Sequence, residues 1–286
     1  MRNKFYSLLL LVFISTGVYA QKLEGGIIGG VSYYSGDLTT NFFGPLHPAG
    51  GLLCRYNLNS YLSLKGDVII GRVSANDADN PATSTFKLAR NLSFESRIAE
   101  FTGQIEVNFL SAFKGKDQYR ICVPYGFVGL GIFRFNPMAN YFDPLLGQNT
   151  MVDLQPLGTE GQGLTKYPER KRYNLTSVCF PLGLGLKFHI SRQWNIGLEF
   201  GARKTTTDYL DDVSTTYVER DLIGAAYGPR ARAMADRSGE INGGSYMSDN
   251  KPGLERGNPS TQDWYGFSGL WVTYTFKGKS LKCNQF

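Results

Sequence analysis

Only two histidines, His47 and His189, are available for acid–base chemistry. A nucleophilic hydrolase needs a histidine beside a serine or cysteine held in a recognisable turn. His47 falls at a loop edge and His189 at the end of an alternating run, and neither lies in such a motif. Catalysis is expected of neither. The stretch Leu157-Gly158-Thr159-Glu160-Gly161-Gln162-Gly163 is glycine-rich like a phosphate loop. It has no Gly-Lys-Ser/Thr and no strand–loop–helix setting to aim backbone N–H groups at phosphate, so it is read as a flexible loop. Asp208, Asp211 and Asp212 offer enough oxygen to collect calcium. They are read instead as solvated loop carboxylates. Cys54, Cys122, Cys179 and Cys283 lie 68, 57 and 104 residues apart, which is not metal-ligand spacing. A disulfide framework is not expected in a domain this large, although Cys283 is available to pair with a partner. No metal, cofactor or small-molecule substrate is expected.

The remaining chemistry-bearing residues share a placement. Between Cys179 and Arg203, Phe180, Leu182, Leu184, Leu186, Phe188 and Ile190 alternate with Cys179, Pro181, Gly183, Gly185, Lys187 and His189. After Ser191-Arg192-Gln193 the alternation resumes, with Trp194, Ile196, Leu198, Phe200 and Ala202 against Asn195, Gly197, Glu199, Gly201 and Arg203. Period two marks β-strands, and the short break marks a hairpin. The same alternation predicts strands at Leu23–Tyr34, Gly51–Leu58, Tyr61–Val73, Ser93–Leu110, Tyr119–Phe135 and Phe267–Phe276. In the fifth run the apolar parity slips near Val128, which either a bulge between Gly126 and Gly131 or a misread register would explain. Cys54 falls on an apolar parity and Cys179 on the opposite, inward one.

Eight strands result, and their connections alternate in length. The second, fourth and sixth are tight, the fourth at Lys114-Gly115-Lys116-Asp117. The first, third, fifth and seventh are long loops over 35–47, 74–92, 136–172 and 204–265. Short periplasmic turns and long extracellular loops are the signature of a small outer-membrane barrel. The expected fold is therefore all-β, an eight-stranded antiparallel transmembrane β-barrel. A soluble lipocalin-like barrel is the alternative, but it would turn the apolar face inward and leave little room for charge. The polar parity carries Glu24, Lys65, Asp67, Glu100, Glu106, Lys187, His189, Glu199 and Arg203. An eight-stranded interior is wide enough only for side chains, and buried charges must be paired. The expectation is a salt-bridged plug rather than a proton path or an enzyme site.

Composition agrees with this reading. Apolar residues make up 42% of the 286, with 34 glycines and 14% aromatics. Alternation hides a lipid-facing surface inside an ordinary average. Past the N-terminus no apolar run is long enough for a membrane helix. Residues 1–20 read as a secretory signal peptide, with Arg2 and Lys4, an apolar centre from Leu8 to Ile14, and cleavage after Ala20. The barrel then covers 21–276 and a periplasmic tail 277–286. A net charge of +6, dispersed along the chain, leaves no nucleic-acid footprint.

Several stretches resemble one family. They are Gln155 to Gly163, Trp194-Asn195-Ile196-Gly197-Leu198-Glu199, Thr207-Asp208-Tyr209-Leu210-Asp211-Asp212-Val213-Ser214-Thr215-Thr216-Tyr217, Arg256-Gly257-Asn258-Pro259 and Asp263-Trp264-Tyr265. Together they resemble the PorG family, outer-membrane β-barrels of the type IX secretion system in Bacteroidota. The resemblance implies association with outer-membrane lipid and with the periplasmic ring of the lipoprotein PorK and PorN. It also implies a role in exporting cargo proteins and, in gliding relatives, adhesins, and it brings no catalytic residues. The tail, with Lys277, Lys279, Lys282 and Cys283, and the short turns are the expected docking surfaces. Two rival expectations are a barrel that binds surface ligands through its long loops, and a lipid-modifying barrel enzyme that would depend on His47.

Overall fold

The computed structural model describes residues 23–39, 41, 44–81, 84–109, 122–144, 146–250 and 253–276. The expected signal peptide 1–20, the expected turn at Lys114–Asp117 and the tail with Lys277, Lys279, Lys282 and Cys283 lie outside the described residues. Eight strands close a barrel: β1 Leu23–Ser35, β2 His47–Asn57, β3 Leu62–Asn76, β4 Ser93–Asn108, β5 Cys122–Arg134, β8 Thr176–His189, β9 Trp194–Thr205 and β10 Trp264–Thr275. Every neighbour is antiparallel. The order β3-β2-β1-β10-β9-β8-β5-β4 is closed by pairing of β3 with β4 from Leu62↔Val107 to Asn76↔Ser93. Closure leaves no unpaired barrel edge, as hydrocarbon requires.

The two short connections within the described residues are held by side-chain caps. Asn59 Oδ1 accepts from the Tyr61 and Leu62 amides at 2.8 Å each between β2 and β3. Ser191 Oγ accepts from the Trp194 amide at 3.1 Å between β8 and β9. The long connections carry structure of their own. Residues 136–172, expected as loop, contain a hairpin of β6 Pro137–Asp143 and β7 Gln148–Asp153 that extends the edge of β4 through Glu95↔Met138. The connection between β3 and β4 holds helix α1 Thr85–Arg90, and that between β9 and β10 holds α2 Arg220–Tyr227, α3 Pro229–Ala235 and α4 Met247–Asn250. These helices are too short for a periodic signal that alternation scanning would find.

Ile27, Leu52, Ile70, Phe101, Val128, Leu184, Phe200 and Leu270, one on each barrel strand, are more than half exposed on the outer wall. A continuous apolar belt far exceeds the few hundred Å² that soluble monomers leave uncovered. Lipid is the solvent that suits it. The expected parity slip in β5 does not occur. Its register with β4 runs unbroken from Asn108↔Tyr125 to Ala99↔Arg134. The alternation misleads because Val123, Tyr125 and Phe127 are buried on the inner face, where Tyr125 and Phe127 form an apolar cluster with Ile28, Leu53, Ile69, Phe267 and Trp271. Outside, Gly126 has no side chain of its own and the Phe109 ring lies over it.

Inward glycines make room for these rings. A Cβ on Gly185 would collide with the Tyr125 ring, and one on Gly197 would collide with the Trp271 indole. A Cβ on outward Gly103 would meet nothing within 4 Å. Overfilling a packed interior costs about 1–3 kcal/mol or more. Gly185→Val is therefore expected to lower the urea midpoint of the refolded barrel, read by heat-modifiable migration on gels, whereas Gly103→Val leaves it unchanged. Equal midpoints for the two variants would contradict the packing.

Candidate functional site

Closure of the barrel brings the polar parities of all eight strands onto one lumen. Three layers of ion pairs cross it. At the short-turn end, Arg55 on β2 grips Glu106 on β4 with two nitrogens, at 2.7 and 3.0 Å, and reaches Glu24 on β1 at 2.9 Å. Lys187 adds a 3.5 Å contact to Glu106. Glu24 also accepts from Asn57 at 2.6 Å and Thr273 at 2.9 Å. The Arg55 guanidinium lies 4.4 Å over the Trp271 ring. In the middle, Lys65 on β3 reaches Glu199 on β9, the strand diametrically opposite, at 2.6 Å, and Asp67 at 3.3 Å. Tyr125 donates to Glu199 at 3.0 Å and accepts from the Trp271 indole at 3.1 Å. Thr102 and Gln104 donate to Asp67 at 2.6 and 2.9 Å. At the long-loop end, Arg203 pairs with Glu100 at 3.0 Å, and Tyr265 donates to the same carboxylate at 2.6 Å.

All eight of these sequence-derived ionic residues, Glu24, Lys65, Asp67, Glu100, Glu106, Lys187, Glu199 and Arg203, are buried in the lumen. His189 is only half-buried and contacts Asn195 at 2.6 Å. His47 contacts Ser74 at 2.7 Å, far from the ionic layers in the fold. Arg55 was missed, although its alternation with Cys54 and Tyr56 placed it inward. The sequence pattern does not mark Tyr125 as inward, because β5 is apolar on both faces near the short-turn end. Cys179 is buried inside and Cys54 exposed outside, and the three described cysteines are free.

Above the lumen the long loops lock onto one another. Glu160 accepts from the amides of Ser214 at 3.0 Å and Thr215 at 3.0 Å, from Thr215 Oγ1 at 2.6 Å and from Arg256 at 3.0 Å. Arg256 donates onward to the Asp212 carbonyl at 2.6 Å. Asp212 accepts from Thr159 at 2.5 Å and Tyr173 at 2.6 Å. Arg90 grips Asp77 at 2.6 and 2.7 Å and ties α1 to the Arg256 carbonyl. The 157–163 stretch is thus a folded turn around Glu160, with positive φ at Gly158, Gly161 and Gly163, and not the flexible loop expected. Asp208, Asp211 and Asp212 are buried and not solvated. Asp211 and Asp212 face hydroxyl and amide donors. Among the described residues no three His, Cys, Asp or Glu side chains are placed to hold a metal ion. The stretches at 155–163, 207–217, 256–259 and 263–265 converge in this cap, three of them through Glu160 and Arg256 and the last through Asp263.

Tyr34 fixes the cap to the wall. Its hydroxyl lies 2.5 Å from Asp211 and 2.9 Å from Asp263. A phenol has one proton to donate, so the second contact requires a proton on one of the two carboxyls. Burial drives both well above the ordinary carboxylate range, aided by Asp37 at Asp211 and by Asp211 and Asp208 at Asp263. Burial pushes Asp208 up to about 7 and Asp212 up to about 6, the latter against Arg256 and its hydroxyl donors.

The sequence profile of a family described as "Domain of unknown function (DUF6089)" matches residues 3–147, just over half of the chain. The chain belongs to the DUF6089 family. The match spans β1 to β6, so the cap residues from Thr159 onward lie beyond it. No curated protein matches this DUF6089 chain. Among solved structures it is similar to Ail, the attachment invasion locus protein of Yersinia pestis, at 11% identity over 88% of this chain and 97% of that one, with a TM-score of 0.38. It is also similar to Neisserial surface protein A, at 9% identity over 89% and 97%, with a TM-score of 0.41. A major outer membrane protein from Thermus thermophilus matches at 10% over 88% and 98%, with a TM-score of 0.37.

Two outcomes are expected. Removing one partner of a buried ion pair costs about 3–5 kcal/mol, while replacing both is near neutral. Arg203→Met should destabilise the barrel by about that amount in denaturant titration, and adding Glu100→Gln should restore most of it; a double variant no more stable than the single would contradict the pairing. In the cap, raised carboxyl pKa values mean that the folded state holds protons the unfolded chain releases. That stabilisation is complete below the unfolded value of about 4 and is lost as pH rises through the folded values. Hydrogen-exchange protection at the Leu210 and Val213 amides should fall between pH 5 and pH 8. Protection that is flat or rises over this range would contradict it.

Proposed function

We propose that this barrel is an outer-membrane anchoring component of the type IX protein secretion machinery, reached after signal-peptide cleavage near Ala20, linking the periplasmic ring of PorK and PorN to the membrane. The observation that carries this reading is the filled lumen. Lys65 and Glu199 meet across the full width of the barrel, and Arg55, Tyr125 and Trp271 occupy the space beside them. A wall with no bore offers no path for a protein, which leaves its surfaces to act. The resemblance of the 155–163 and 207–217 stretches to the PorG family supplies the partners.

In this reading the protein does no chemistry. His47 bonds to Ser74, and His47→Ala should leave secretion intact. Binding of a surface ligand by the loops is the second reading. It is favoured by a cavity of about 430 Å³ at the loop rim, lined by Phe86, Lys87, Arg90, Asn258, Gln262 and Trp264.

Deleting 277–286 tests the anchoring role. Affinity-tagged protein from detergent-solubilised outer membranes should retain PorK and PorN when full-length and lose them when truncated, with the barrel still heat-modifiable. Unchanged ring retention after truncation would contradict the tail as the docking element. A clean monomer from the full-length protein would favour the loop-ligand reading.

A further inference from the structure

Among the described residues, the charges of the outer wall cluster in one place, with a single exception. On β1, β2, β8 and β10 the outward positions carry no Lys, Arg, Asp or Glu. On β3, β4 and β5 they carry Arg72, Glu95, Arg97 and Arg134, all at the long-loop ends, and β9 carries Lys204 alone. Arg72 lies directly across from Arg97, and Arg134 lies across from Ala99, the next outward position on β4. Three guanidinium groups therefore share one patch on adjacent strands. Like charges placed opposite one another destabilise a sheet pair. Arg72 is relieved by Glu95 at 2.9 Å. Among the described residues neither Arg97 nor Arg134 has an anionic partner. The patch also begins where the apolar wall ends. Immediately below it, Ile70, Phe101 and Ile132 are more than half exposed.

A ligand that matches this surface has acyl chains to cover the wall and phosphate directly above them. Arginine grips phosphate with two parallel N–H bonds, and its weak hydration suits a half-buried site. We propose that Arg72, Arg97 and Arg134 dock the phosphorylated headgroup of a lipid from the leaflet on the long-loop side, whose chains lie along Ile70, Phe101 and Ile132. The shared phosphate neutralises Arg97 and Arg134, which Glu95, paired to Arg72, leaves without an anionic partner among the described residues. Lys204 is set apart on β9, with its ammonium 5.9 Å from the Trp264 ring, and takes no part. The proposal rests on the membrane-spanning barrel and not on the secretion role, so loss of ring retention leaves it standing and its own failure leaves anchoring untouched.

The test uses the full mature chain refolded in detergent, with binding of bisphosphorylated lipid A and of the same lipid stripped of phosphate followed by native mass spectrometry. The wild type should prefer the bisphosphorylated lipid by about tenfold or more. R97Q/R134Q should lose that preference while K204Q keeps it. The conservative R97K/R134K, which retains charge without the bidentate fork, should fall between wild type and R97Q/R134Q and serves if the glutamine variant does not refold. Equal binding of both lipids by the wild type, undiminished preference in either double variant, or an equal loss in K204Q would overturn the proposal.

Discussion

The charges on the inner wall of this barrel are cut off from water by their own packing, and the fold can bury them only because they meet across the lumen. Four cations, Arg55, Lys65, Lys187 and Arg203, face five carboxylates, Glu24, Asp67, Glu100, Glu106 and Glu199. A buried pair gains little over an apolar substitute, but a buried charge without its partner is costly. The layers are therefore mutually dependent. Arg55 needs β1, β2 and β4 in register, Lys65 needs β9 opposite β3, and Arg203 needs β4 within reach of β9. Satisfied pairing selects one strand order and one shear from the many that an alternating apolar wall would tolerate. The apolar belt decides where the molecule resides, and the ionic layers decide which barrel it is.

The same constraint shapes what the protein can do. Tyr125, Phe127 and Trp271 occupy the space left by inward glycines, and the rings and ion pairs together leave no bore. In the proposed reading, the rim and the outer wall are the surfaces that meet partners. At the rim, Glu160 and Arg256 tie the loops into a single cap, and Tyr34 joins that cap to β1 through Asp211 and Asp263. On the wall, the arginines of β3, β4 and β5 mark one side as different from the rest. A barrel with a folded loop cap and one distinguished flank presents different surfaces around its circumference.

Period two was enough to read the barrel, because each strand faces two different solvents and its residues alternate accordingly. The reading failed at β5, where both faces are apolar near the short-turn end and Tyr125 points inward. It also left Arg55 off the interior set, although its neighbours Cys54 and Tyr56 face out. The loop cap was not legible in the same way. Glu160, Asp211 and Asp263 lie in segments without periodicity, and their partners are remote in sequence, with Tyr34 and Asp263 being 229 residues apart. Loop carboxylates are usually solvated. Nothing local distinguishes one that will be buried under a folded cap.

The most direct test of the inside-out architecture uses two of the three tryptophans of the chain. Trp271 is buried in the lumen, and Trp194 is exposed on the outer wall. Single-tryptophan variants in bilayers should be compared by fluorescence quenching with brominated acyl chains and with aqueous acrylamide. The account predicts that brominated lipid quenches Trp194 and that neither quencher reaches Trp271. Quenching of Trp271 by brominated lipid would show the wall reversed, and quenching by acrylamide would show a water-filled lumen; either result would contradict it.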